Sequence, residues 1–307
     1  MNRISSAMIP ASSLVDIQRA QRELVEAARQ SSQQTRATDL QGYGRQAQTL
    51  VSAERLSSRL NGFQETAREL TSRLKIQDVA LDRAAEAVGK LKAGLFQNFT
   101  LDSGDGVRVQ LEEAFAALKD TMNVDLGGRY LFGGVMNDRP PVAAASLADL
   151  AANPLSVSLE QGAQAQVMRL EETRLIAAGP VADDVVGQAM AAIKRLAELD
   201  GGVNGPFARQ LTPVQKDALE SEIANLSSAF ETILSRQVDN GGLMKDVEAA
   251  EDRLTARVTA LDSVIGGIVE VDLAEVAVRL NQAQFAYETS ASVFNILRDM
   301  SLLKMLR

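Results

Sequence analysis

The sequence contains no cysteine and no histidine. Those two absences exclude a disulfide, a thiolate nucleophile, a histidine-based metal site and a histidine general base. Tryptophan is missing too, and aromatic residues make up only 4% of the chain. The apolar share, 46%, is carried mainly by alanine, leucine and valine, side chains that suit extended packed helices better than one compact core. No window approaches 18 consecutive apolar residues, so no membrane-spanning helix is expected. Positive charge is the minority sign: 32 lysines and arginines face 40 acidic residues, a net charge of −8 with a pI near 4.9. A nucleic-acid surface would need the opposite balance, so no nucleic-acid partner is expected. The first ten residues hold one basic residue, Arg3, and no apolar stretch of secretory type. A cytoplasmic protein is then the default, unless export uses an uncleaved signal.

At 307 residues the chain is long enough for two domains. What it has in abundance is helical periodicity. Steps of three and four from Ala53 land on Leu56, Leu60, Phe63, Ala67, Leu70, Leu74, Gln77, Leu81, Ala84, Val88, Leu91 and Leu95, and only Gln77 is polar. An apolar row of period 3.5 kept over about six heptads predicts a coiled-coil-like helix, roughly 65 Å long. Residues 98–106 break it, and Leu111, Phe115, Leu118 and Met122 resume it. A second long row runs through Leu219, Ile223, Leu226, Phe230, Ile233, Gln237, Asn240, Met244, Val247, Glu251, Leu254, Val258, Leu261 and Ile265. Thr212-Pro213 is a suitable start, as N-cap and first helical residue. Gly241-Gly242 interrupt this row at about 1 kcal/mol each against alanine, and predict a kink or a close helix approach. Gln77, Gln237 and Asn240 are either register-setting polar positions or places where the row is exposed.

Gly266-Gly267 are expected to end that helix, and Asp272 with Glu275 three residues on opens the last one as an aspartate variant of the capping box. Its face is Leu273, Val276, Leu280, Ala283, Tyr287, Phe294 and Leu297, and the first helix offers Leu14, Ile17, Leu24 and Ala28. Between the helical ends, glycine and proline punctuate short runs; residues 155–159 alternate and residues 166–170 are β-prone, which predicts a small β-containing insert at 129–180. Val185, Ala189, Ile193 and Leu196 then mark an amphipathic helix before a loop at 200–210. No catalytic, cofactor-binding or metal-ligating constellation emerges. Asp183-Asp184 fits the start of a helix, where acidic residues favour the macrodipole. The loop Asp102-Ser103-Gly104-Asp105-Gly106 lacks the extended ligand pattern and closing glutamate of a calcium loop, and no glycine pair is followed by the residues of a phosphate loop.

Three segments carry a family resemblance. Arg3-Ile4-Ser5 resembles the start of bacterial flagellar hook-associated proteins of the hook–filament junction. Gly128-Arg129-Tyr130-Leu131-Phe132-Gly133-Gly134, followed by Asp138-Arg139-Pro140-Pro141-Val142, is similar to their passage from the helical domain into an insert. Residues 272–291, from Asp272-Leu273-Ala274-Glu275 to Tyr287-Glu288-Thr289-Ser290-Ala291, and the ending Ser301-Leu302-Leu303-Lys304-Met305-Leu306-Arg307 resemble the flagellin C-terminal helix. One departure is Thr38-Asp39-Leu40-Gln41-Gly42-Tyr43-Gly44, where many members carry a Ser-Asp-Asp-Pro-like segment.

The resemblance to the bacterial flagellin family implies a mainly α fold: a long antiparallel coiled-coil-like helical domain built from both chain ends, residues 1–128 and 181–307, around the insert at 129–180. It implies a non-enzymatic, self-assembling subunit of the hook–filament junction, or alternatively the filament subunit; a non-flagellar coiled-coil scaffold is the reading from periodicity alone. It further implies export by the flagellar type III apparatus, no cofactor, and as partners copies of the chain, the neighbouring junction protein, flagellin and an export chaperone at the C-terminal helix, with no membrane partner. The expected assembly residues are Leu14, Ile17, Leu24, Leu273, Val276, Leu280, Tyr287, Phe294 and Leu297.

Overall fold

A computed structural model describes residues 5–160, 162 and 164–305, with side chains over 14–160, 162 and 164–296. It is mainly α, as the sequence predicts. The order is α1 (Ser5–Gln33), a 3-10 turn (Gly44–Gln46), α2 (Ala47–Thr100), α3 (Val107–Met122), β1 (Asp125–Leu126), β2 (Arg129–Tyr130), α4 (Leu147–Ala152), α5 (Leu155–Ser158), β3 (Val167–Arg169), β4 (Leu175–Ala177), α6 (Ala182–Gly201), α7 (Pro213–Val269) and α8 (Leu273–Met305). The strands form two separate antiparallel pairs. The chain divides into two compact units: residues 1–59 with 257–307, and residues 60–256.

The second unit is built on the long apolar rows. From Leu60 to Leu95 the predicted row of α2 is buried at every position except half-buried Phe63. Residues 81–95 join Leu111, Phe115, Leu118 and Met122 of α3, Val185, Ala189, Ile193 and Leu196 of α6, and Leu219, Leu226 and Ile233 of α7 in one core. Each of these large side chains contributes about 1.5–3 kcal/mol by leaving water. A second cluster joins Ala67, Leu70 and Leu74 to Val247 and Ala250 of α7, and to Leu170, Ile176 and Ala178 around the β3–β4 hairpin. Asn240 donates to the Leu74 carbonyl at 3.0 Å and Gln64 to Thr255 Oγ1 at 3.0 Å, so α2 and α7 run antiparallel here. Across α6 and α7, Arg195 and Glu222 form a two-pronged ion pair, with Nη2 at 2.7 Å, that raises the arginine pKa.

The two alternatives for Gln77 resolve as burial. Its Nε2 donates to the carbonyls of Leu131 (3.0 Å) and Ala178 (3.2 Å), tying the middle segment onto α2. Gly179 makes this possible: its φ is +96°, and a Cβ there would sit 2.2 Å from Gln77 Oε1. One turn earlier, Arg73 donates to the Leu131 carbonyl (2.9 Å) and to Gln166 Oε1 (2.6 Å). Burial lowers its pKa, the Glu69 charge opposes that shift and Arg129 adds to it. Asn240 is likewise buried, whereas Gln237 is half-buried.

The helix ends follow their capping chemistry. Thr212 Oγ1 accepts from the Gln215 N–H (3.3 Å) while Gln215 Oε1 accepts from the Thr212 N–H (3.0 Å), a reciprocal box that starts α7 at Pro213. Asp183 and Asp184 lie in the first turn of α6 as expected, although the N-cap Val181 offers no side-chain cap. Gly127-Gly128, with φ of +61° and +79°, form the two-residue turn between β1 and β2, a geometry that favours glycine at both positions. In the 98–106 break, Asn98 Nδ2 donates to the carbonyls of Ser103 (2.9 Å) and Asp105 (2.8 Å), making it a tied turn between α2 and α3.

Three expectations are corrected. Residues 155–159 are not a strand: after Pro154 they form the single turn of α5, and Leu159 N–H bonds to the Leu155 carbonyl at 2.8 Å. Leu155 and Leu159 both meet the core while Val157 is exposed, a pattern that one helical turn produces as readily as alternation does. Of the kink or close approach expected at Gly241-Gly242, the close approach is not made within the described residues, since a Cβ at either would meet nothing within 4 Å. Gly266-Gly267 do not end α7, which continues to Val269.

Candidate assembly surfaces

In the first unit, α1 and α8 pack against each other. The link between α1 and the 3-10 turn closes onto the α7–α8 junction: Arg36 N–H donates to the Val269 carbonyl (2.8 Å), Val271 N–H to the Gln34 carbonyl (3.3 Å), and Thr35 bridges antiparallel to Glu270. The end of α1 therefore lies beside the start of α8, and the two helices run antiparallel. Within that link, Asp39 Oδ1 accepts from the Gly42 N–H (2.9 Å) and Tyr43 Oη donates to the Ala37 carbonyl (3.0 Å), which gives the departing segment 38–44 its turn. α8 begins at the expected N-cap, with Asp272 Oδ1 accepting from the N–H groups of Ala274 (2.8 Å) and Glu275 (3.3 Å), but among the described residues the Glu275 side chain does not return to the Asp272 N–H to close the capping box. The Glu275 carboxylate pairs with Arg279 one turn on.

The buried row of α1 reads Ile17, Ala20, Leu24, Ala27, with the two alanines fully packed and Ile17 and Leu24 half-buried. On α8 it reads Val276, Leu280, Ala283, Tyr287, Phe294, with Val276 only 3% exposed and Leu280, Tyr287 and Phe294 half-buried. Three expected stripe residues, Leu14, Ala28 and Leu273, lie outside these rows. Leu14 is 46% exposed, because stepping back four from Ile17 gives position 13 rather than 14. Leu273 is 48% exposed; it opens α8, with no helical turn before it. Ala28 is exposed for the reason that buries Ala27: it is one residue off the row. The side chain of Leu297 lies outside the described residues.

Because alanines line much of the contact, a trough of about 660 Å³ is left between α1 and α8. Ala27, Ala283 and Ala286 lie along it, with Arg19, Arg22, Glu23, Glu26 and Arg279 among its other walls. Glu26 and Arg29 hydrogen-bond at 2.6 Å, which holds the carboxylate below its ordinary pKa and the guanidinium above its own.

Sequence reasoning missed a second apolar row on α8. Val278, Phe285, Val293 and Ile296 are exposed, Phe285 by 70%, and Val15 and Val25 are exposed on α1. α8 is thus apolar on two sides, and a helix apolar on most of its surface is normally buried on most of it. Val278 and Phe285 stand seven apart, a spacing visible in the sequence but overshadowed by the stronger row beside it. Among the described residues, no helix is long and apolar enough to cross a membrane.

Residues 223–306 match the family model for the bacterial flagellin C-terminal helical region. No curated protein matches the sequence. Among solved structures, a protein from Vibrio parahaemolyticus described as a flagellar hook-associated protein superposes with a TM-score of 0.53 at 14% identity, covering 71% of this chain and 96% of its own. FlgL of Bacillus cereus superposes with a TM-score of 0.55 at 13% identity, covering 70% of this chain and 99% of its own. At those identities the superpositions speak to the fold alone, while the matched sequence covers all of α8 up to Met305 together with the later part of α7. The resemblance noted in the C-terminal segment is therefore borne out: residues 223–306 match the bacterial flagellin C-terminal helical region, and the chain shares the fold of these two solved structures.

Proposed function

We propose that this chain is a structural, non-enzymatic subunit of the bacterial flagellum, placed at the hook–filament junction and held there by packing of α1 and α8 against copies of itself. The observation that carries this reading is the double apolar character of α8. One row is covered by α1, and the other, through Val278, Phe285, Val293 and Ile296, faces outward. A row of that kind is a surface for a neighbour. The assembly set is accordingly Ile17, Leu24, Val276, Leu280, Tyr287 and Phe294, which shape the helix pair, with Leu14 and Leu273 at its exposed margin and the outer row making the contact between copies. The adjoining junction protein and flagellin are the other partners in place. Before assembly, an export chaperone covers the C-terminal helix, and the flagellar type III apparatus exports the chain without a cleaved signal.

The flagellin C-terminal region also suits the filament subunit, and location separates the two roles. Immunogold labelling of isolated hooks with attached filaments is expected to mark the junction alone. Label along the whole filament would assign the chain to the filament instead.

A further inference from the structure

Three charged residues are buried among the described ones: Arg73, Asp200 and Glu222. Asp200 pairs with Arg108 and Glu222 with Arg195, whereas Arg73, only 7% exposed, has no ion-pair partner. A guanidinium carries five N–H donors. Arg73 uses two of them, Nη2 on the Leu131 carbonyl and Nη1 on Gln166 Oε1, and its buried Nε has no partner. Both acceptors are already shared, since the Leu131 carbonyl also accepts from Gln77 and Gln166 Oε1 from Asn137 (3.3 Å). Gln77 Oε1, a nearby oxygen that is itself unpartnered, lies against Gly179 instead. A buried donor without an acceptor is costly, and a buried cation without a counter-charge more so.

A second cation lies close by. Arg129 opens β2, two residues before the Leu131 carbonyl that Arg73 holds, and its charge adds to the effect of burial on Arg73. Arg129 is exposed, and among the described residues its side chain makes neither an ion pair nor a hydrogen bond. The carboxylates around the two arginines are spoken for or stand apart. Asp125 Oδ2 accepts from the Gly128 N–H (3.0 Å), and Asp138 and Glu160 both pair with Arg139, at 3.5 and 3.7 Å. Glu69, exposed one turn before Arg73 on α2, acts on it through its charge without forming an ion pair.

We propose that Arg73 and Arg129 form a binding site for a small free oxyanion of the phosphate or sulfate type, which fastens the middle segment onto α2. Such an anion offers several acceptor oxygens to the unused N–H groups of two guanidiniums, in hydrogen bonds strengthened by charge on both sides. It also supplies the counter-charge that Arg73 lacks within the chain. Arg73 belongs to α2 and Arg129 to β2, so a bridge between them works in parallel with the bonds from Arg73 and Gln77 to Leu131, Gln166 and Ala178. The site lies within the inner unit and is independent of how copies of the chain assemble.

Inorganic phosphate is the probe, exchanged for chloride at constant ionic strength with the full-length chain. A ligand that binds only the folded chain raises its Tm with concentration. The expected result is a saturable rise of several degrees over chloride, with slower hydrogen exchange in the β3–β4 hairpin. Arg129→Gln, at an exposed position, is expected to remove the phosphate-dependent rise with far-UV circular dichroism unchanged. Arg139→Gln, at the neighbouring arginine that pairs with Asp138 and Glu160, is expected to keep it. Arg73→Gln should also lose the rise; if that buried change prevents folding, the contrast between Arg129→Gln and Arg139→Gln still decides. No rise over chloride means that water serves the Arg73 donors, and overturns the inference. An equal rise in Arg129→Gln overturns it too, because phosphate then acts as a general stabilising salt.

Discussion

The two units are made of the same kind of helix but hold together by different means. In residues 60–256 the rows are dominated by leucine, valine and isoleucine, and they meet four helices and a hairpin at once. Each buried leucine supplies about 1.5–3 kcal/mol there. Among the described residues of the terminal unit, the fully buried apolar ones are Ala20, Ala27, Leu50, Ala53, Ile268, Val276 and Ala283, more than half of them alanine. An alanine contributes roughly one methyl group, about 0.8 kcal/mol, while the large apolar side chains of α8 are divided between its two sides. The lesson is one of allocation: the inner unit buries its large side chains within the chain, and the terminal unit leaves several of them for a neighbour.

That contrast is open to direct attack. Leu81→Ala in the inner core is expected to destabilise the chain by about 2–5 kcal/mol in urea unfolding, whereas Phe285→Ala in the terminal unit should stay within about 0.5 kcal/mol in the unassembled chain. Equal effects would abolish the distinction between the units. Gln77→Leu comes next. It removes the one side-chain donor to the Ala178 carbonyl among the described residues and should cost about 1–3 kcal/mol for a buried group left without a partner. Hydrogen exchange is expected to rise first in the β3–β4 hairpin, and unaltered exchange there would show that the segment is held by its apolar contacts alone. Asp272→Ala removes the cap of α8 and should cost about 1 kcal/mol, seen as faster exchange in the first turn of α8 with the inner unit unaffected. At the small end, Gly241→Ala and Gly242→Ala are each expected to stabilise the free chain by about 0.5–1 kcal/mol, because both sites have open space around them. Destabilisation would mean that the glycines serve the isolated fold.

Much of the inner unit is legible in the sequence, since a row such as 60–95 admits one reading once every third or fourth residue is apolar. The type of the β3 segment and both caps, at Thr212 and Asp272, are legible for the same reason: local chemistry decides them. Three things are not. Leu155, Val157 and Leu159 are too few to separate alternation from one helical turn, and only the exposure of Val157 decides. Whether Gln77 is inside or outside depends on Leu131 and Ala178, residues 54 and 101 positions away, which no local pattern reports. On α1 the buried positions are alanines, so a stripe drawn from its leucines and isoleucine took in Leu14, and among neighbouring alanines it chose Ala28 in place of the buried Ala27. The outer row of α8 was hidden for a related reason: where a helix is apolar on two sides, periodicity names the stronger side and is silent about the other.

The central claim is that the outer row of α8 joins copies and contributes little to the fold of one chain. The most direct measurement is incorporation of Phe285→Asp into flagella, scored by immunogold at the junction beside the circular dichroism of the purified chain. The account predicts an unchanged spectrum with incorporation lost, because a charge buried without a partner at the contact is strongly unfavourable. Incorporation at the level of the unaltered chain would contradict it.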